Sequence, residues 1–95
     1  MSEKECISLA KHMIGMDNKK VYTRHGRKFY KPYRNYFSSA PTGKDYELCN
    51  ELVKEGYAKE MELSIHTYGK CFYLTREGLD WLGEKLDIHI YDEVN

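Results

Sequence analysis

The feature that most constrains this chain is a change of period at one glycine. Before Gly56, Leu48, Cys49, Leu52 and Val53 fall on one face of a helix read over 43–56. After it, Met61, Leu63 and Ile65 alternate with Glu60, Glu62 and Ser64. The first spacing suits a helix of 3.6 residues per turn and the second a half-buried strand. A helix therefore delivers the chain directly into a sheet, and the domain is expected to be α+β. Gly56 stands where a left-handed residue closes a helix, and Thr42 is the expected cap at its start.

The remaining elements follow from the same rules. Cys6, Ile7, Ala10, Met13 and Ile14 define a first helix over 3–14, with Ser2 as cap, Glu3 and Glu5 set favourably against the helix dipole, and Gly15 as its stop. "VYTR" and "RKFY" flank His25-Gly26, a two-residue hairpin signal, and Pro32 ends the second strand. "YRNYF" is read as one helical turn before the loop "SSAPTG". "HTYG" turns the chain after residue 65, "KCFYLT" returns as a strand, and Thr75 caps a last helix from Arg76 to Leu86. That helix buries Leu79, Leu82, Leu86 and part of Trp81. "DIHIYDE" is an extended tail whose Ile88 and Ile90 fold back on the core.

Length and composition set the scale. Residues 1–95 form one domain with 41% apolar and 14% aromatic residues, enough for a small core to which a homodimer would add burial. No apolar run reaches the ~20 residues of a bilayer span, and "MSEKECISLAKHMIG" lacks the apolar block of a signal peptide. An intracellular setting, with no membrane partner, is the expectation. Cys6, Cys49 and Cys71 are isolated and read as free thiols, and the four histidines have no metal-ligand spacing. No cofactor, metal or catalytic group is expected.

The net charge of zero conceals a segregation. Residues 18–44 hold eight Lys/Arg and no acid, whereas 45–95 hold five basic and twelve acidic side chains. Within the first block, "KKVYTRHGRKFYKPYRNYF" interleaves seven cations with six aromatic residues. Lys19, Lys20, Arg24, Arg27, Lys28, Lys31 and Arg34 are candidates for phosphate contact, and Tyr30 and Tyr33 for stacking or hydrogen bonding. Strand alternation also requires part of the aromatic set inside. Tyr22, Phe29 and Phe37 are the core candidates, with Tyr33 and Tyr36 at its edge.

"YELCNELVKEGYAKEMELSIHTYGKCFYLTREGLDWL" resembles the carboxyl-terminal part of winged-helix domains, in which a helix ending L-x-x-x-G-hydrophobic leads into a two-stranded wing that returns through Y-x-L-T-x-x-G-x-x-x-L. The matching residues are Leu52, Gly56, Tyr57, Phe72, Leu74, Thr75, Gly78 and Leu82. The resemblance implies a winged-helix-like fold of three main helices and a wing, here with an extra basic β-hairpin at about 19–34. The whole chain, with "DNKKVYTRHGRKFYKPYRNYF" and the ending "GLDWLGEKLDIHIYDE", also resembles small proteins encoded by phages and prophages of Gram-positive bacteria, which implies a phage-related origin and a cytoplasmic setting in a bacterial host cell.

Winged helices commonly read DNA with the helix before the wing. Here that helix exposes Lys44, Asp45, Glu47, Asn50, Glu51, Lys54 and Glu55, a net −2 that phosphates would repel. The hairpin is the better candidate for holding a DNA or RNA backbone. Two other classes stay open. One is a protein-binding module that inhibits or modulates a host protein. The other is neutralisation of the basic block by the chain's own acids. Catalysis is not expected, because no G-x-S-x-G, H-E-x-x-H, phosphate-loop or paired-cysteine motif is present.

Overall fold

The computed structural model describes residues 3–40, 42–61 and 70–91. Among them are three α-helices and six strands in two three-stranded sheets. Helix α1 spans Glu3–Met13, and a single 3-10 turn follows at Asn18–Lys20. Strands β1 (Tyr22–Arg24), β2 (Arg27–Tyr30) and β3 (Phe37–Ser39) precede α2 (Lys44–Lys54). Then come β4 (Ala58–Glu60), β5 (Lys70–Leu74), α3 (Arg76–Leu86) and β6 (His89–Ile90).

The helices form where apolar spacing allows one buried face. Cys6, Leu9, Ala10 and Met13 line it in α1, Leu48, Cys49 and Leu52 in α2, and Leu79 and Leu82 in α3. Val53, expected inside, is exposed, and the half-buried Tyr46 packs against the core instead. The end of α2 is closed by Gly56 at φ 85°. The Gly56 amide donates to the Val53 carbonyl at 3.0 Å and the Tyr57 amide to that of Leu52 at 2.9 Å, a Schellman closure. Asp87 takes the same left-handed role after α3 at φ 56°, and the Ile88 amide donates to Gly83 at 2.9 Å.

The start of α2 differs from expectation. Gly43 at φ 106° occupies the cap position and offers no side chain, so Thr42 does not cap it. Thr75 does cap α3, accepting from the Gly78 amide at 3.0 Å, while its hydroxyl donates to the Gly56 carbonyl at 2.8 Å. One threonine thus joins the end of α2 to the start of α3. Gly78 completes the joint, because a β-carbon there would collide with the Tyr57 carbonyl oxygen.

The six strands form two separate sheets. In one, β5 lies between β3 and β4, antiparallel to both, with Phe37 opposite Phe72 and Ala58 opposite Leu74. The expected continuation through Leu63 and Ile65 and the turn at 66–69 lie outside the described residues, as do Ser2 and the tail after Tyr91. In the other sheet β2 lies between β1 and β6. The tail does fold back as expected: β6 runs parallel to β2, with Tyr30 opposite Ile90, and Ile90 is buried.

Residues 33–36 do not form the expected helical turn. The Tyr36 amide donates to the Met13 carbonyl at 3.1 Å, and Asn35 hydrogen-bonds through its side chain to Leu74. Those distant partners hold the segment extended, so that Phe37, Ser38 and Ser39 continue as β3 rather than as a loop.

Candidate nucleic-acid interface

His25 and Gly26 have φ of 53° and 77°, the pair of left-handed residues that a type I′ turn requires. This tight turn sets the hairpin register: Arg24 lies directly opposite Arg27, Thr23 opposite Lys28, and Tyr22 opposite Phe29. Two guanidinium-bearing residues therefore flank the turn on the same face of the sheet. Both are exposed, and among the described residues neither takes part in a salt bridge. Like charges directly across a hairpin repel, so this pair weakens the isolated fold while concentrating positive field at the tip.

Alternation then divides the hairpin into two unlike faces. Tyr30 and Ile90 point inward, and Ile90 packs against Gly83 of α3. Lys28, two residues before Tyr30, belongs to that side. Arg27 and Lys28 line one groove with Asp80, Glu84 and Asp87, and Phe29, His89 and Tyr91 reach its edge. The outward face carries Arg24, Arg27, Tyr22, Phe29 and, through β6, His89 and Tyr91. Tyr22 and Phe29 stack with centroids 5.6 Å apart, and Phe29 and Tyr91 at 6.1 Å, each pair inclined by 20°. His89 meets Phe29 and Tyr91 edge-on, at 5.8 and 4.7 Å. The neighbouring Tyr22 phenol raises the pKa of Tyr91, with partial desolvation adding to the effect.

This division corrects the residue assignment made from sequence. Tyr30, expected to offer stacking, is 0% exposed; its hydroxyl donates to the Gly15 carbonyl at 2.8 Å, and burial raises its pKa. Tyr22 and Phe29, the core candidates, lie on the opposite face, with Tyr22 45% exposed. Lys28 leaves the hairpin on the side opposite Arg24 and Arg27, and with Arg27 it lines the groove that holds Asp80, Glu84 and Asp87. His89 and Tyr91 were not foreseen as part of this surface, because only the parallel pairing of β6 brings them there.

The cations near the base of the hairpin form a second group. Lys19 and Lys20 sit on the 3-10 turn, where the Asp17 carboxylate accepts from the Lys19 amide at 3.0 Å; both are exposed, as is Lys31. Arg34 is half-buried and donates to the His12 carbonyl at 2.8 Å, closing the end of α1, where a cation also suits the helix dipole. Tyr33 is 51% exposed, but Lys20 and Arg34 lie over its ring at 5.3 and 5.6 Å, and its edge packs on Gly15. Tyr33 is therefore already engaged by its own neighbours, and Arg34 acts first as a helix closure.

The helix before β4 presents an acidic surface. Exposed Asp45, Glu47 and Glu55 lie along α2, where Lys44 is paired with Glu5 of α1. Cys6 and Cys49 are buried, and burial pushes the Cys49 thiol up to about 12. Among the described residues no group of three or more His, Cys, Asp and Glu side chains is arranged to hold a metal ion. No helix there is long and apolar enough to cross a membrane. The chain matches no family model, no curated protein and no solved structure.

Proposed function

We propose that this chain is a non-catalytic binding protein of winged-helix-like build that holds a nucleic-acid backbone through its basic hairpin, with little sequence readout. The observation that carries the reading is the cross-strand pair Arg24–Arg27 at the type I′ turn, exposed and without a salt bridge among the described residues. Such a pair destabilises the free hairpin, and a dianionic stretch of backbone relieves it. Lys19, Lys20 and Lys31 add exposed charge at the other end of the arm. The winged-helix-like build is supported by the order α2, β4, β5, α3 and by the joint of Gly56, Tyr57, Thr75 and Gly78.

The test is the salt dependence of binding to a labelled oligonucleotide. Each phosphate contact removed lowers the slope of log K against log salt by about 0.7–0.9. Replacing Arg24 and Arg27 together by Ala is expected to flatten that slope by about 1.5, while Lys28→Ala, on the side of the α3 carboxylates, leaves it nearly unchanged. Equal slopes for wild type and the double variant reject the assignment.

A second reading, a protein partner, draws on a different feature. Glu3, Glu51 and Glu55 rim a small pocket beside Tyr57 and Trp81, whose rings stack at 4.7 Å. Carboxylates over an aromatic pair suit a basic side chain of a host protein. Complexes formed through that pocket survive nuclease treatment, whereas those formed through the hairpin do not.

A further inference from the structure

We infer that the outward face of the β1–β2–β6 sheet is a stacking platform for unpaired bases, so that the polynucleotide held by this protein is single-stranded. The inference rests on the nucleic-acid reading above and narrows it to one class of ligand.

Four rings share this face although the small core has its own claim on aromatic residues. The inward side is filled by Tyr30 and Ile90, both essentially inaccessible. The opposite side carries Tyr22, Phe29, His89 and Tyr91 in mutual contact. Tyr22 and His89 are exposed and Phe29 and Tyr91 half-buried; Phe29, His89 and Tyr91 line the groove that Asp80 and Glu84 of α3 share. Mutual packing also fixes the rings before any ligand arrives. Phe29 lies at 20° to both Tyr22 and Tyr91, and His89 meets Phe29 and Tyr91 edge-on. A base stacking here meets a surface that needs little further ordering.

The charge on the same face selects the occupant. Arg24 and Arg27 share the side that bears Tyr22 and Phe29, two residues or ~7 Å along each strand. A base on the rings therefore places its backbone within reach of a guanidinium. Aromatic rings flanked by arginines are the combination that holds single strands, since every base offers a π-face and every link a phosphate. A duplex keeps those π-faces inside its stack and offers only base edges in its grooves. The side of the molecule that would enter a groove, α2, carries exposed carboxylates instead.

The experiment compares fluorescein-labelled oligothymidylate, oligouridylate and a blunt duplex of equal charge by anisotropy at one fixed salt concentration. Single strands are expected to bind at least about tenfold more tightly than the duplex. The two single-stranded arms separate DNA from RNA as the source. Tyr22→Ala, an exposed edge-strand change, is expected to weaken single-strand binding about tenfold without altering the salt slope. Tyr22→Phe, which keeps the ring, retains most of the affinity. Circular dichroism of the unliganded variants checks that the sheet is intact. Equal or tighter binding to the duplex overturns the inference while leaving the backbone reading standing, as does an unchanged affinity in folded Tyr22→Ala. Failure to retain any oligonucleotide removes both.

Discussion

Asn35 pairs with Leu74 as though its side chain were a neighbouring strand: the Leu74 amide donates to Asn35 Oδ1 at 2.8 Å, and Asn35 Nδ2 donates to the Leu74 carbonyl at 2.9 Å. The β3–β5 register of Phe37 opposite Phe72 and Ser39 opposite Lys70, extended by two residues, brings Asn35 opposite Leu74. A primary amide reproduces the donor and acceptor of a peptide group, so the ladder continues after the backbone has turned away. This clip anchors the segment that carries Tyr33, Arg34 and Tyr36 between α1 and β5.

Replacing Asn35 by Ala leaves both Leu74 groups without their partner in a partly buried place. The expected loss is about 2–3 kcal/mol, read as a lowered urea midpoint with an unchanged m-value. Asn35→Asp is expected to be no better, since its second oxygen faces the Leu74 carbonyl without a proton to donate. A midpoint within error of wild type for both variants would show that the clip contributes nothing.

Gly78 is expected to reject even one methyl group. In an exposed helix, Gly→Ala gains about 1 kcal/mol through propensity. Here the added carbon runs into the Tyr57 carbonyl oxygen, and overpacking of this kind costs about 1–3 kcal/mol. Gly78→Ala should therefore lower the thermal midpoint despite its better helix propensity, whereas Glu77→Ala, exposed one residue earlier, should shift it by less than about 0.5 kcal/mol equivalent. A stabilised Gly78→Ala protein would contradict the close approach of α3 to Tyr57.

Burial pushes the Cys49 thiol up to about 12. In the unfolded chain it ionises near 8.5, so between those values the folded state keeps a proton that the unfolded state releases. Stability from this group is thus fully present below about pH 8 and is lost as pH rises, by up to about 1.4 kcal/mol per unit. Urea midpoints should fall between pH 9 and 10.5, and Cys49→Ala should lessen the fall. At pH 8 a thiol reagent followed by peptide mapping should label Cys49 only after denaturation. Rapid labelling of Cys49 in the native protein would refute its burial.

Much of the frame was legible because it rests on local chemistry. Helical spacing around Leu48 and Leu52, the Gly56 stop, the Thr75 cap and the His25-Gly26 turn each involve residues a few positions apart, whose preferences act before the chain is compact. The errors share one cause. Tyr33–Tyr36 resembles a helical turn until Met13 and Leu74 supply distant hydrogen-bond partners. The hairpin alternates apolar and charged residues on both faces, so its own pattern does not say which face turns inward.

By itself, the amino-acid order determined the helices, their stops, the hairpin turn and the concentration of cations in one stretch, because periodicity, caps and left-handed residues are properties of short segments. Only the tertiary structure decided that Tyr30 enters the core while Tyr22 and Phe29 face out, that Lys28 lies on the Tyr30 side of the hairpin, and that Arg34 closes α1. The deciding contact is the parallel pairing of β6 with β2 across nearly sixty residues of chain. It buries Ile90 beside Tyr30 and thereby sets the side of every residue in the hairpin. Strand alternation transmits that choice to the arginines at the tip, which no local preference could orient.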